Sequence, residues 1–568
     1  MKANALFCSA VGCCVAFAAI GAANGQDVLV GRQARQDAEL IFSADAGDAG
    51  KMLWNPCSVG VVWDAESLLN PGAVLPTNGV ATLQFIEEME LMQCTGGSPT
   101  RDRFKDSLNA AVRDDYDFSR LVAACRVLVS RGVRPYLKLG NVPCKLSARR
   151  DDKVTFFNIN IRPPADYGEW YRYTAAMARA LVEAFGRDRV RTWRFAVLTE
   201  CDNSLWFKDD TDDPARTRDA FFALYDHAVA ALEDEIAPDV RVGVHPGGHG
   251  RGWWNACDIF DHCARGTNFH TGKTGTRLDF VAVSFYDHAP GVNHRGFSWH
   301  DTFARLRDAA AECGFGNLEW GVDEGRVFQG RTAGAKSRDL PMRAAGLSWQ
   351  GAWDARAIRR QFDDDVRYFA AWGYLGGPNA LFEGLPSPSY FVAQNAAGFA
   401  GMRRTPVSRH VQSDGCETDM VAAWDEKGRR FLGMAYRFSY DLKSANPVNV
   451  RMRFGADAYR LSDVRVVLTR IGDEVNWFPL WERDRKRLGI DDKDFGWSPD
   501  DLAPLAKHGL ARDEHRRIFR EQLEPVYRER ARLRPECRTV RGDENGYVEI
   551  KTFLHPHEVV FVCLSLNR

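Results

Sequence analysis

Thr192-Trp-Arg-Phe-Ala-Val-Leu198 runs directly into Thr199-Glu200-Cys201-Asp202, a short aromatic and β-branched run that ends on a carboxylate. Strand alternation puts Ala196, Leu198 and Glu200 on one side and Phe195, Val197 and Thr199 on the other. Small and aliphatic side chains toward an axis, with an acid at the rim, are what a barrel strand carries when its C-terminal end does chemistry. Leu318-Glu-Trp-Gly-Val-Asp-Glu-Gly325 has the same form: alternation gives Trp320, Val322 and Glu324 a common face and turns Asp323 away. Glu200 and Glu324 are 124 residues apart. That leaves room for about three βα units of ~31–40 residues.

Working outward, Val59–Trp63, Val133–Leu139, Val240–Val244 and Phe280–Phe285 also read as strands. Phe118–Arg131, Trp170–Phe185, Ala215–Glu235, Thr302–Cys313 and Ala357–Trp372 read as helices. About eight such repeats over 54–411 predict an α/β fold, a closed (β/α)8 TIM barrel. An open doubly wound sheet would carry a Gly-rich turn after its first strand, and none follows Trp63. Beyond residue 412 short strands with period-two alternation predict a C-terminal antiparallel β-sandwich over 412–568, interrupted at about 500–534 by an Arg-rich helical insertion with a solvated face. Residues 1–25 read as a signal peptide: Lys2, an apolar Ala5–Ile20 and the small residues Ala22, Ala23 and Gly25. The mature protein is therefore expected to be secreted or periplasmic. Residues 26–53 form an N-terminal segment whose candidate packing partner is the sandwich.

With 75 Lys and Arg against 76 Asp and Glu, the net charge of −1 gives no global field for nucleic acid or an acidic membrane. No later run approaches ~18 apolar residues, so no membrane span is expected. Of 14 Cys, three lie in the leader, and the remaining odd number is not a disulfide framework, with Cys257 and Cys263 the nearest pair. His245 and His249 have a spacing that suits a metal, but no third ligand accompanies them, so no metal and no cofactor are expected.

Two rim glutamates three strands apart fit a glycosidase pair: one protonates the leaving oxygen and the other attacks the anomeric carbon. The run Tyr116 to Gly140, continued by Val142-Pro143, resembles the third barrel unit of glycoside hydrolase family 39, the clan A family of β-xylosidases and α-L-iduronidases. Trp170 to Glu200 is similar to that family's approach to its acid/base. Leu278–Tyr286 resembles its sixth strand, Leu318–Glu324 its nucleophile strand, and Leu468–Trp481 a segment of its accessory sandwich. The resemblance implies a retaining hydrolase with Glu200 as acid/base and Glu324 as nucleophile.

The match departs at one place. Where the family shows Trp-Asn-Glu-Pro, this chain has Leu198-Thr-Glu-Cys201. The family's Asn contacts the 2-hydroxyl of the sugar being cleaved, and Thr199 carries no amide. Three readings stay open: a sugar altered or substituted at its 2-position, another side chain supplying the contact, or activity reduced or lost.

Thr199, Tyr286, His288, Trp320, Trp253 and Trp254 are the candidate substrate-binding residues, the tryptophans as stacking faces. The expected partner is a poly- or oligosaccharide, with sulfated or uronic-acid sugars left open along with the oligomeric state. A catalytically silent carbohydrate-binding protein and a transglycosylase are the alternatives.

Overall fold

The computed structural model describes residues 39–69, 85–98, 101–149, 159–247, 252–287, 291–293, 295–327, 348–371, 385–410, 416–441, 446–489 and 513–566. The leader-like stretch 1–25 lies outside the described residues.

Eight parallel strands, β2 (Val59–Asp64), β3 (Glu88–Gln93), β4 (Arg134–Leu139), β5 (Arg194–Val197), β6 (Arg241–Val244), β7 (Phe280–Asp287), β8 (Glu319–Val327) and β9 (Val366–Ala371), hydrogen-bond in that order. Phe369 N–H donates to Pro56 O at 3.2 Å and brings β9 back beside the start of β2. A helix follows each strand, so the sheet is the closed (β/α)8 barrel. The helix starts are written in the sequence. Asp166 caps Tyr167–Phe185, Asp213 and Pro214 open Pro214–Glu235, and Ser298 with Asp301 forms a capping box on Trp299–Glu312. Each such cap is worth about 1 kcal/mol.

Alternation sorts the strand residues into two layers. Val61, Tyr136, Ala196, Phe280, Ala282 and Tyr368 fill the barrel. Leu137, Phe195, Val197, Val242, Val283 and Val322 pack outward against the helices. Two strands escape a sequence reading. In β3, Glu88 and Glu90 face inward, which removes the apolar face that marks a strand. The run Ala357–Trp372, expected to be one helix, is the end of helix Ser348–Asp363 followed by β9. Asp365, at φ 52°, turns the chain between them.

The accessory region is a sandwich of a four-stranded and a six-stranded sheet. Its strands are β10 (Arg403–Thr405), β11 (Val407–His410), β12 (Glu417–Asp425), β13 (Arg430–Phe438), β14 (Val448–Gly455), β15 (Asp463–Ile471), β16 (Glu536–Arg541), β17 (Tyr547–Leu554) and β18 (Glu558–Leu566), joined by β1 (Glu39–Asp45) from ahead of the barrel. β1 pairs antiparallel with β11 and parallel with β14, the exception in otherwise antiparallel sheets. Phe42, Phe431, Met452, Phe454, Val466 and Ile550 lie in the core between the sheets. Helices begin earlier than expected, at Phe478–Arg487, and resume at Asp513–Ile518 and Glu524–Arg530, around Trp477, Trp481 and Tyr527. No helix of the described residues is long and apolar enough to cross a membrane.

Helix Ser348–Asp363, between β8 and β9, is buried along most of its length because it packs on the barrel and the sandwich at once. Trp349 Nε1 donates to Ser439 O at 2.8 Å, and Arg356 Nε donates to Glu417 Oε2 at 2.6 Å.

Candidate active site

Glu200 follows β5 at the C-terminal end of the barrel, where the loops open. It stands on an irregular backbone: Leu198 at φ 60° and Glu200 at φ 42° are both left-handed, a conformation that costs non-glycine residues of order 1–2 kcal/mol each. The neighbours hold it there. Leu198 N–H donates to Leu139 O and Cys201 N–H to His245 O, both at 2.9 Å, while Trp254 Nε1 donates to Cys201 O at 3.2 Å. The half-buried Glu200 carboxyl accepts from Asn203 Nδ2 through Oε2 at 2.6 Å. Asp202 beside it is fully buried. Burial pushes its pKa up to about 6 against the Gly247 N–H that stabilises its charge, and Glu200 adds to the rise while Arg295 opposes it.

Glu324 reaches the mouth by a different irregularity. Val322 pairs with Val283, but the next partners are Glu324 and Ser284, so Asp323 is an extra residue on β8. The bulge resets the alternation. Val322 faces outward with Val283, Asp323 turns into the barrel, and Glu324 takes the same side as its partner Ser284. The strict alternation expected from the sequence, with Trp320, Val322 and Glu324 on one face and Asp323 away, therefore does not hold. Tyr286 Oη donates to Glu324 Oε1 at 2.6 Å.

The other candidates divide. Trp320 is buried on the outer face against Phe260 and Phe303, with the Arg307 guanidinium 5.4 Å from its ring. Trp254 is 5% exposed and wedged against Phe221 and Phe222, so it anchors the Glu200 loop and offers no stacking face. Thr199 is buried at 1% exposure, and its Oγ1 has no hydrogen-bond partner among the described residues; it does not line the mouth as expected. Trp253 is half-buried, tied through its backbone N–H to Asp202 O at 2.5 Å, with Lys208 Nζ 4.8 Å from its ring. His288 and His249 lie outside the described residues. Cys257 and Cys263 are free thiols.

Sequence reasoning missed three groups. Asn203, which holds Glu200, gave no signal beyond its nearness in the chain. Asp287, next to Tyr286, accepts from Trp353 Nε1 at 3.0 Å and from Tyr440 Oη, so the sandwich reaches the end of β7. Tyr440→Phe removes that bond and is expected to lower stability by about 1–3 kcal/mol, read as a shift in the denaturant midpoint; an unchanged midpoint would contradict the role given to the contact. The third group is a charged cluster inside the barrel: Lys138, Glu90, His245 and Asp323 are all 0% exposed. Its faint signal was charge at alternate positions of β3 and β4.

The model of Glycosyl hydrolases family 39 matches residues 103–297. The α-L-iduronidase of Mus musculus is 27% identical over 173 residues, 30% of this chain and 24% of that protein. The β-xylosidase of Caldicellulosiruptor saccharolyticus is 26% identical over 186 residues, 32% of this chain and 34% of that protein. The chain thus spans about a quarter to a third of the length of these curated relatives. Among solved structures, the GH39 enzyme of Xanthomonas axonopodis pv. citri superposes with a TM-score of 0.65 at 17% identity, covering 95% of this chain and 100% of that one. The monomeric β-xylosidase of Caulobacter crescentus CB15 gives 0.64, also at 17%, covering 94% and 100%.

Proposed function

We propose, from the family 39 match and the shared fold, that the chain is a divergent member of glycosyl hydrolase family 39 and an exported, retaining glycosidase of a poly- or oligosaccharide. The observation that carries this is the convergence of two backbone irregularities, the left-handed Glu200 after β5 and the bulge ahead of Glu324 on β8, each delivering a carboxyl to the same rim. Such irregularities cluster where side chains must be aimed.

In the reading, Glu200 protonates the glycosidic oxygen while Glu324 attacks the anomeric carbon, and Glu200 then takes a proton from the water that releases the sugar. Tyr286 fixes the Glu324 carboxylate through Oε1, and Asn203 fixes Glu200 through Oε2. Both acids are thereby held in one rotamer before substrate arrives, which lowers the entropic cost of reaching the transition state. With Thr199 buried, the 2-position of the sugar is read by another group or carries a different substituent. Arg295 is close enough to Asp202 and Glu200 to act on their charge; sulfated and uronic-acid sugars stay within the substrate panel. Export rests on the leader pattern in residues 1–25.

The test is a panel of aryl glycosides, xylosides and uronides included, with the first-formed product followed by NMR. Release of sugar with retained anomeric configuration is expected; inversion, or glycan binding with no release over long incubation, would overturn the reading.

A further inference from the structure

Below the mouth, five strands and one loop bring polar groups together in one cluster. Lys138 Nζ on β4 contacts Glu90 Oε1 of β3, lies 2.6 Å from Nδ1 of His245, just past β6, and 3.1 Å from Asp323 Oδ2 of β8. Three acceptors match the three protons of an ammonium. His245 must then offer Nδ1 as a lone pair and keep its proton on Nε2, which meets Ser284 Oγ of β7 at 2.8 Å. Asp323 receives Tyr136 Oη at 2.6 Å and Tyr368 Oη of β9 at 2.8 Å besides Lys138. Ligand atoms of Glu90, His245 and Asp323 come within 4.8 Å of one another, and the ammonium stands among them as their cation.

The charges do not balance if every acid is ionised. One fully buried cation faces two fully buried carboxyls, and three donors converge on Asp323 while, among the described residues, Lys138 is the donor at Glu90. The proton therefore belongs on Glu90. Burial, then the charge of Asp323, raises the Glu90 pKa well above the carboxylate range; burial, then Lys138, lowers that of His245 well below its usual value. Burial works against the charge on Lys138, but Asp323 and Glu90 outweigh it and its pKa is raised. Of the other strands, β2 presents Val61 and β5 presents Ala196 at this level; the further charges nearby are Glu324, which adds to the rise at Glu90, and Arg194 of β5, whose guanidinium lies 4.6 Å from the Tyr368 ring.

We propose that Lys138 is a positioning residue for the nucleophile: its ammonium pins Asp323 inward as a carboxylate, with Glu90 as a neutral acid, and so holds the bulge that turns Glu324 into the mouth. Asp323 is the extra residue of that bulge, and Ser284, the strand partner of Glu324, is held from the other side by His245. The nucleophile's own strand β8 and its neighbour β7 are thus tied to one cation. Its charge also offsets that of Asp323, one residue from Glu324. The inference rests on Glu324 as nucleophile for its kinetic part and not for its protonation part.

Two measurements test it. Infrared spectra of the whole protein at neutral pH should contain the carbonyl stretch of a protonated carboxylic acid that Glu90→Gln removes; no difference at that band overturns the assignment of the proton, whether or not any sugar is turned over. In kinetics, Lys138→Met leaves Asp323 uncompensated beside Glu324, which raises the nucleophile's pKa. The acid limb of kcat/KM should move up by about one pH unit and kcat should fall about tenfold or more. A lysine with a merely structural role would lower the melting temperature and leave the limb where it was. Because the single variant leaves a buried charge unpaired, Lys138→Met with Asp323→Asn is the companion: it should fold and still lose kcat, and wild-type kcat in that double variant would overturn the proposal.

Discussion

Glu324→Gln is expected to abolish turnover and leave the fold intact. An amide has no charge with which to attack the anomeric carbon, so the covalent intermediate is not formed, and kcat is expected to fall by at least about 10⁴-fold, as when other nucleophiles are removed. The amide keeps the size of the carboxylate, and its oxygen still accepts from Tyr286 Oη, so the bulge and the β7–β8 pairing lose no contact. Release of aryl aglycone, measured beside the far-UV spectrum and the melting temperature, separates lost chemistry from lost structure. Hydrolysis at the wild-type rate would remove Glu324 from the mechanism and with it the double-displacement reading.

Glu200→Ala is expected to act selectively. The variant cannot protonate the leaving oxygen, a contribution of about 10²–10⁴-fold in general acid catalysis. Substrates with a poor leaving group should lose that factor in kcat/KM, while activated aryl glycosides, whose leaving groups need no proton, should lose little. The measurement is the dependence of kcat/KM on leaving-group pKa, steep in the variant and shallow in the wild type. A uniform loss across the series would mean that Glu200 only binds or only supports the loop. Glu200→Gln is the control for the second case, because its amide oxygen still accepts from Asn203 and the loop keeps its tie.

The barrel was legible because burial on both faces leaves apolar runs such as Val240–Val244, and the helix caps are local chemistry readable within four residues. β3 was illegible for the opposite reason: Glu88 and Glu90 occupy inward positions, held by partners from other strands, Arg194 for Glu88 and Lys138 for Glu90. Likewise Lys138 in Tyr136-Leu-Lys-Leu139 reads as an exposed charge until the fold places three acceptors around it. The two glutamates were found by their position at strand ends, whereas the face of Glu324 was not, because a bulge is a property of the pairing between β7 and β8 and leaves no trace in β8 alone. The indole rings mislead in a third way. Trp254 and Trp320 have the composition of sugar platforms and the surroundings of core residues, and only packing tells the two apart.

The pairing of β1 with β14 has a consequence for the order in which the molecule can be completed. Strand β1 finds its parallel partner only after the whole barrel, about 400 residues later, has been synthesised. Such a long-range closure is slow. Until it happens the β1 strand has neither sheet neighbour, and the apolar side chains of Leu40, Phe42 and Ala44 have no cover. The barrel is, in effect, an insertion between the first strand of the sandwich and the rest. A chain cut short after the barrel would not be a working enzyme lacking an accessory module. It would carry an exposed, aggregation-prone strand at one end and, at the other, a helix Ser348–Asp363 stripped of the sheet that buries it.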